Sequence, residues 1–481
     1  MLQHKDTHKI SELKRGFTHR WFEADFILSS LTCFKLPKVN RRFAGLKEKG
    51  YSLTSLFGII LSLPFMGQPS VNGLLHSQLS HYIEPRKDAF YRFKNLVTID
   101  WRGILWFFAK QFIGLSEKEK EGKGFRCLIF DDSVLQKKGK YIERVSRVWD
   151  HVTGRYVLGY KLLVGMYWDG ASCIPVDFSL HREKGKKKDM PYGIKKKTMK
   201  KQFRKCRDYS SNGHQRALET DMSKIASVVA MIKRATKKKL AVDYVLMDSW
   251  FTCWEITSLV MKRKGLHLIG MYKGAKTKFM IGEKKLTYSQ IRSELGKPVR
   301  CRKLGYYYKQ AIVEWNGKQV KLFFSKQGNN GKWKTFLTTN TSLSFIAMIK
   351  IYQLRWSIEV FFKEGKQLFG LGKCQSNDFD AQIADTTMVM IRYMIASLKF
   401  RFDNYESKGA IFEQTKEKAT MYSLGERLWG LFMELVKIIE LLFDGCDSDE
   451  IIRRLVQNDQ AAETIALLLG RDTPPDYPKA A

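Results

Sequence analysis

The sequence predicts an α/β protein: a mixed sheet with helices on its faces, a β-rich insertion, and helical regions at the N- and C-terminal ends. Three observations carry this. Between Arg126 and about residue 272, short apolar runs (CLIFDD, AVDYVLMD, LHLIGMYK) alternate with helical stretches at about 220–236 and in WFTCWEITSLVMKRKG, the pattern of strands covered by helices. From about 275 to 338 the chain changes to short strand-like pieces separated by turns such as Asn316-Gly317 and Asn329-Asn330-Gly331. Before about 115, and again after 339, the patterning is helical.

The chain has 481 residues and is 44% hydrophobic, enough for two to four domains with sizeable cores. Its formal net charge of +36 repels a compact fold unless a polyanion offsets it, and nucleic acid is the expected partner. The eight cysteines contain no Cys-x2-Cys pair and none has a histidine in ligand spacing, which argues against a structural zinc site. HKDTHKISELKRG is polar where the apolar core of a signal peptide would stand, and the apolar stretch Leu53–Met66 is too short to span a bilayer and contains Pro64. A cytoplasmic, reduced protein with no membrane association is expected.

Taken in order, residues 1–115 interleave basic and aromatic residues on helical segments (FKLPKVNRRF, RKDAFYRFKN, WRGILWFFAKQF) and are expected to form a helical DNA-binding domain. SEKEKEGKG follows as a charged linker. In CLIFDD an apolar strand ends in two carboxylates, and RYVLGYKLLVGMYWDG with ASCIPVDFSL predicts a hairpin around Asp169-Gly170. In Lys184–Lys205, 11 of 22 residues are Lys or Arg and only Asp189 is acidic, so a mobile, unpacked loop is expected, suited to a phosphate backbone. The expected boundaries are 124–272 and 339–400 for the core, 275–338 for the insertion and 401–481 for the helical C-terminal region. There LWGLFMELVKIIELLF is either a contact surface or buried against its own domain.

Three carboxylates have the setting that chemistry wants. Asp131 and Asp248 each follow an apolar strand, where open α/β sheets expose their ligands. Alternation along CLIFDD sends Asp131 and Asp132 to opposite faces, so only one of them can point at a site. The third acid, Glu359, lies in YQLRWSIEVFFKEGK with Tyr352, Arg355 and Lys366. On one continuous helix these four fall near 0, about 300, about 340 and about 320°, a narrow polar stripe. Leu354, Ile358, Phe361, Leu368 and Phe369 form the apolar face. Three converging acids offer oxygen ligands to two Mg²⁺ or Mn²⁺ ions, which clamp both oxygens of a phosphoryl displacement.

FDDSVLQKKGK, LMDSWF and the Tyr-x2-Arg-x3-Glu-x6-Lys spacing together resemble the DDE transposases of bacterial insertion sequences, over roughly residues 90–400. The resemblance implies a ribonuclease H-like core with the insertion between the second Asp and the Glu. It implies Asp131, Asp248 and Glu359 as catalytic metal ligands, with Asp131 preferred over Asp132, and Tyr352, Arg355 and Lys366 as phosphate-binding residues. It also implies Mg²⁺, or Mn²⁺, as cofactor, binding of terminal inverted repeats and target DNA, and a homodimer in the active complex. In relatives with a DNA hairpin intermediate an aromatic residue of the insertion stacks on a flipped base, a role open here to Trp333 or Trp315. An inactive DNA-binding regulator and a metal-dependent nuclease of the same fold are the competing expectations.

Overall fold

The computed structural model describes residues 34–46, 49–77, 80, 83–117, 124–402, 408–442, 447–461 and 464. Part of the expected N-terminal domain, residues 1–33, lies outside them. The chain divides into two compact units, one of residues 37–54 and 91–402 and the other of residues up to 36, 55–90 and 403–481.

The first unit holds the sheet. Its central strand, β1 (Cys127–Gln136), starts with four buried residues, as expected of an apolar run covered on both faces. β3 (Arg155–Trp168) pairs antiparallel with all of β1. β2 (Ser146–Asp150) and β4 (Cys173–His181) share the other edge of β3. On the opposite side, β5 (Tyr244–Met247) runs parallel to β1, with Phe130 level with Met247, and β6 (His267–Met271) runs parallel to β5. The order β4-β3-β1-β5-β6, with β3 the one reversed strand, is consistent with a ribonuclease H-like nuclease core.

The insertion continues this sheet. β7 (Lys278–Ile281), β8 (Lys284–Thr287), β9 (Val299–Cys301), β10 (Tyr306–Trp315), β11 (Lys318–Gln327) and β12 (Lys334–Thr338) extend it through antiparallel pairing of β12 with β6. The two-residue turn between β10 and β11 has Asn316 at φ 49° and Gly317 at φ 75°. Both are left-handed, the twist that closes a tight hairpin.

The longer helices of this unit are α1 (Trp101–Glu117), α2 (Lys224–Lys237), α3 (Trp254–Met261), α4 (Phe345–Gln353), α5 (Trp356–Gln367) and α6 (Phe379–Phe402). α1 packs on β4 and α6, so it belongs to the same compact unit as the sheet. Helix α2 packs on β3, β4 and α3. The run Lys184–Lys205, expected to be an unpacked loop, contains a short helix (Lys196–Lys200) and is pinned by backbone bonds to Tyr141 and Arg147. Its polar backbone finds partners on the core, while its lysines up to Lys201 and Arg204 stay exposed.

In the second unit, Lys408–Leu442 and Ser448–Gln457 are helical. Val436 is buried against Ile452 and Val456, while Leu431, Leu435, Ile438 and Leu442 are exposed. The apolar run of this region is therefore partly buried against its own unit and partly exposed. No helix among the described residues is long and apolar enough to cross a membrane.

A buried charge ties the layers of the first unit together. Asp177 on β4 is 1% exposed and accepts hydrogen bonds from Arg102 of α1 at 2.9 Å and Arg234 of α2 at 2.7 Å. Removing one partner of such a set leaves uncompensated charge in a low-dielectric layer. Asp177→Ala is expected to cost about 3 kcal/mol of stability, measured by urea denaturation. An unchanged midpoint would mean that water already screens both guanidinium groups.

Candidate active site

Parallel pairing builds the site. Because Phe130 lies level with Met247, the next residues stand at the same height, Asp248 just past the end of β5 and Asp131 in the middle of β1, which continues to Gln136 on its pairing with β3 and so does not end at the two carboxylates as its sequence suggests. Asp248 sits in a tight turn: its Oδ1 accepts from the backbone N–H of Trp250 at 2.9 Å and of Phe251 at 3.2 Å. The Thr252 hydroxyl donates to the Asp248 carbonyl at 2.7 Å. This turn closes onto β6, where a Cβ on Gly270 would stand 2.1 Å from the Thr252 hydroxyl, so the close approach requires glycine there.

Residues 352–366 do not form one helix. Between α4 and α5 the backbone bonds shorten to the i→i−3 type, with Leu354 N–H donating to Ile351, Arg355 to Tyr352 and Ile358 to Arg355. This corrects the continuous wheel read from the sequence. The correction strengthens the pairing it predicted, because a 3₁₀ turn eclipses residues i and i+3, which sets Arg355 above Tyr352 with its guanidinium 5.9 Å from the ring centroid. The Tyr352 ring is seated edge-on against Phe336 of β12, and burial pushes its hydroxyl up to about 12.

Arg355 is the hub. Its guanidinium donates to Asp131 at 2.8 Å and to Glu359 at 2.5 Å. Burial, and then the Asp248 carboxylate, push the Asp131 carboxyl up to about 7, against the opposing pull of the Asp132 backbone N–H and Arg355. Lys366, in the last turn of α5, donates to the Ser133 hydroxyl at 2.8 Å. Ser133 is two residues beyond Asp131 on β1, hence on the same face.

The expected cluster of three metal-binding acids is not formed. Among the described residues no three His, Cys, Asp or Glu side chains are arranged to hold an ion. The reason is Arg355: a guanidinium occupies the space between Asp131 and Glu359 and supplies the positive charge there. The donor set still fits a hard divalent cation, being carboxylate oxygen beside a carboxyl that like charge has pushed up.

Asp132 faces elsewhere. It pairs with Lys224 at 3.0 Å and with the buried Lys161 at 3.5 Å, so it is held as a counterion. Lys224 also lies 3.9 Å from the centroid of the exposed Trp250 ring. Trp315 is buried among Trp254, Tyr272 and Phe279. Trp333 is partly exposed, with Lys326, Arg292 and Lys309 at 5.4, 5.8 and 6.0 Å from its ring. Sequence reasoning missed Lys161, Lys224 and Ser133. Ser133 alone had a signal, its same-face spacing from Asp131; a lone lysine on β3 or at the start of α2 had none.

In comparison with known proteins, residues 65–305 match the family model described as DDE superfamily endonuclease. The match includes Asp131 and Asp248 and ends before Glu359. A search of curated proteins finds no match.

The two neighbouring aspartates should respond in opposite directions. Since the Asp131 carboxyl is raised from 3.8 to about 7 in the fold, its ionisation disfavours the native state. That penalty is absent below about pH 4, grows as pH rises, and is complete above about 7. In metal-free buffer at pH 8, Asp131→Asn is therefore expected to raise the urea midpoint, with the gain vanishing near pH 4. Asp132→Asn, which removes the ion pair of Lys224 and leaves the buried Lys161 with only Glu183 at 4.0 Å, is expected to cost about 3 kcal/mol. Equal effects of the two changes would overturn this division of roles.

Proposed function

The chain belongs to the DDE superfamily endonucleases, and on that premise we propose that it is the transposase of a bacterial insertion sequence. It binds the terminal inverted repeats, cuts the element ends and joins the freed 3′-hydroxyl to target DNA. The observation that carries this reading is the arrival of Asp131 and Asp248 at one level of adjacent strands, with Glu359 reached through Arg355. The reading places the protein in the cytoplasm, on the nucleoid when bound to DNA.

Asp131, Asp248 and Glu359 would hold Mg²⁺ or Mn²⁺, which when bound activates the attacking oxygen and neutralises charge at the phosphate. Arg355 sets the order of events. Its planar fork matches phosphate as well as carboxylate, so an incoming phosphate competes for it, and its turn toward DNA releases Asp131 and Glu359 together. Lys366, beside Ser133, contributes a point charge to a flanking phosphate. Tyr352 contributes a hydroxyl held protonated by burial. The cationic surround and partial exposure of Trp333 support a role in stacking on an unpaired base; Trp315 lacks the exposure this needs. Leu431, Leu435, Ile438 and Leu442 recur at the 4-3-4 spacing of a coiled-coil seam and are exposed, which supports a dimer holding two ends. The helical segments within residues 1–115 are the candidate readers of the terminal repeats.

One observation favours a second reading, a DNA-binding regulator without turnover: Asp131 and Glu359 are neutralised by Arg355. Labelled duplex carrying the flanking terminal repeats separates the two. Wild type with Mg²⁺ is expected to nick at the element end and join it to a second duplex, while Asp248→Ala and Glu359→Ala bind without cutting. Binding by wild type without cutting under Mg²⁺ or Mn²⁺ would leave the regulator. Arg355→Ala is expected to bind Mn²⁺ more tightly than wild type in the absence of DNA, by calorimetry, and yet to cut less; unchanged Mn²⁺ affinity would sink the role given to Arg355.

A further inference from the structure

The cleavage chemistry leaves the basic run unused. A segment this charged, left to itself, repels and stays in solvent. Here its backbone is built into the fold. Tyr192 accepts at its carbonyl from the Arg147 N–H of edge strand β2 at 2.9 Å, and the Phe203 N–H donates to the Tyr141 carbonyl at 2.8 Å. The Gln202 amide donates to the Val145 carbonyl at 3.1 Å, and Ile194 is buried. Two glycines make the path possible. A Cβ on Gly185 would stand 2.3 Å from the Met190 carbonyl, and Gly193 has φ +69° with the Arg147 side chain 2.5 Å from its Cβ position.

The side chains do the reverse. Nine lysines and Arg204, spread over residues 184–204, are all exposed, and among the described residues none of the ten has an ion pair. Lys205, the next residue, turns inward to Asp378 at 2.8 Å and Asp380 at 2.9 Å, which anchors the end of the segment to the start of α6. The result is an ordered array of unneutralised cations. The residue just before it ties the segment to β2 and β3. Glu183 accepts from the Trp149 N–H at 2.8 Å and lies 4.0 Å from Lys161, which lies 3.5 Å from Asp132, the neighbour of Asp131.

We propose that residues 184–204 are a clamp for the phosphate backbone of duplex DNA, gripping the duplex without reading its sequence. The identity of the polyanion rests on the DNA-cutting reading above. The chemistry favours backbone over bases, because nine of the ten cations are lysines, point charges without the fork that reads guanine edges. Each phosphate that they neutralise releases condensed counterions, so the array contributes to the salt dependence of binding more than to its specificity.

The test is the salt dependence of binding of a labelled duplex of arbitrary sequence to the full chain, over a series of KCl concentrations. The variants are K186Q/K187Q/K188Q and K195Q/K196Q/K197Q, the same two triples changed to Arg, and K233Q/K262Q/K264Q, which removes equal charge from exposed positions on α2 and after α3. Melting temperatures equal to wild type establish that each is folded. Each glutamine triple in the clamp is expected to lower the slope of log affinity against log salt by about 2, near 0.9 for each phosphate lost. The arginine triples and the α2–α3 triple are expected to keep the wild-type slope. Unchanged slopes in the clamp triples, or an equal loss in the α2–α3 triple, overturn the clamp while wild-type binding and cutting leave the transposase reading standing. Failure of wild type to bind duplex at all overturns both.

Discussion

Two carboxylates on neighbouring parallel strands are the constraint around which the first unit is organised. The register that levels Phe130 with Met247 brings Asp131 and Asp248 to one level of adjacent strands, about one strand spacing of ~4.8 Å apart. Two ionised carboxylates held on adjacent strands repel one another. The upward shift of the Asp131 carboxyl records this repulsion together with burial. Such a site persists only if the surrounding fold supplies compensation, and Arg355 supplies it, joining β1 to the start of α5 and holding Glu359 in the same bridge.

The same logic sorts the remaining charges of this unit. Asp132 points to the other face of β1 and would be a second uncompensated acid without Lys161 and Lys224. Asp177 joins α1 and α2 to β4 through two arginines. Arg207 donates to both Glu143 oxygens at 2.7 Å and to Asp380 at 3.1 Å, tying the stretch after the basic run to the start of α6. In a chain of net charge +36, the acids are scarce, and these buried ones are used to hold layers together. The exposed cations of residues 184–204, which among the described residues have no ion pair, contrast with the arginines of the core.

Much of the fold was legible because its signals are local. Apolar runs marked β1, β5 and β6, the Asn316-Gly317 pair marked the β10–β11 hairpin, and the change to short strand-like pieces near 275 marked the insertion. The spacing from Tyr352 to Lys366 singled out the helical residues of the site, although the tightened turn at Leu354–Arg355 was invisible to a wheel drawn at a constant 100° per residue. The basic run was misjudged as unpacked because composition reports on side chains, whereas its order comes from backbone partners on Tyr141 and Arg147.

What the sequence determined by itself is the inventory: which acids follow apolar runs, which cations flank Glu359, and the alternation that sends Asp131 and Asp132 to opposite faces. Only the tertiary structure decided which partners those groups take. Arg355 lies 224 residues from Asp131 in the chain, and Lys224 lies 92 from Asp132. Ion pairs over such separations form where strand register and helix packing bring the groups together. Periodicity and spacing describe only neighbours along the chain, so the bridging arginine that stands among the acids became visible only in three dimensions.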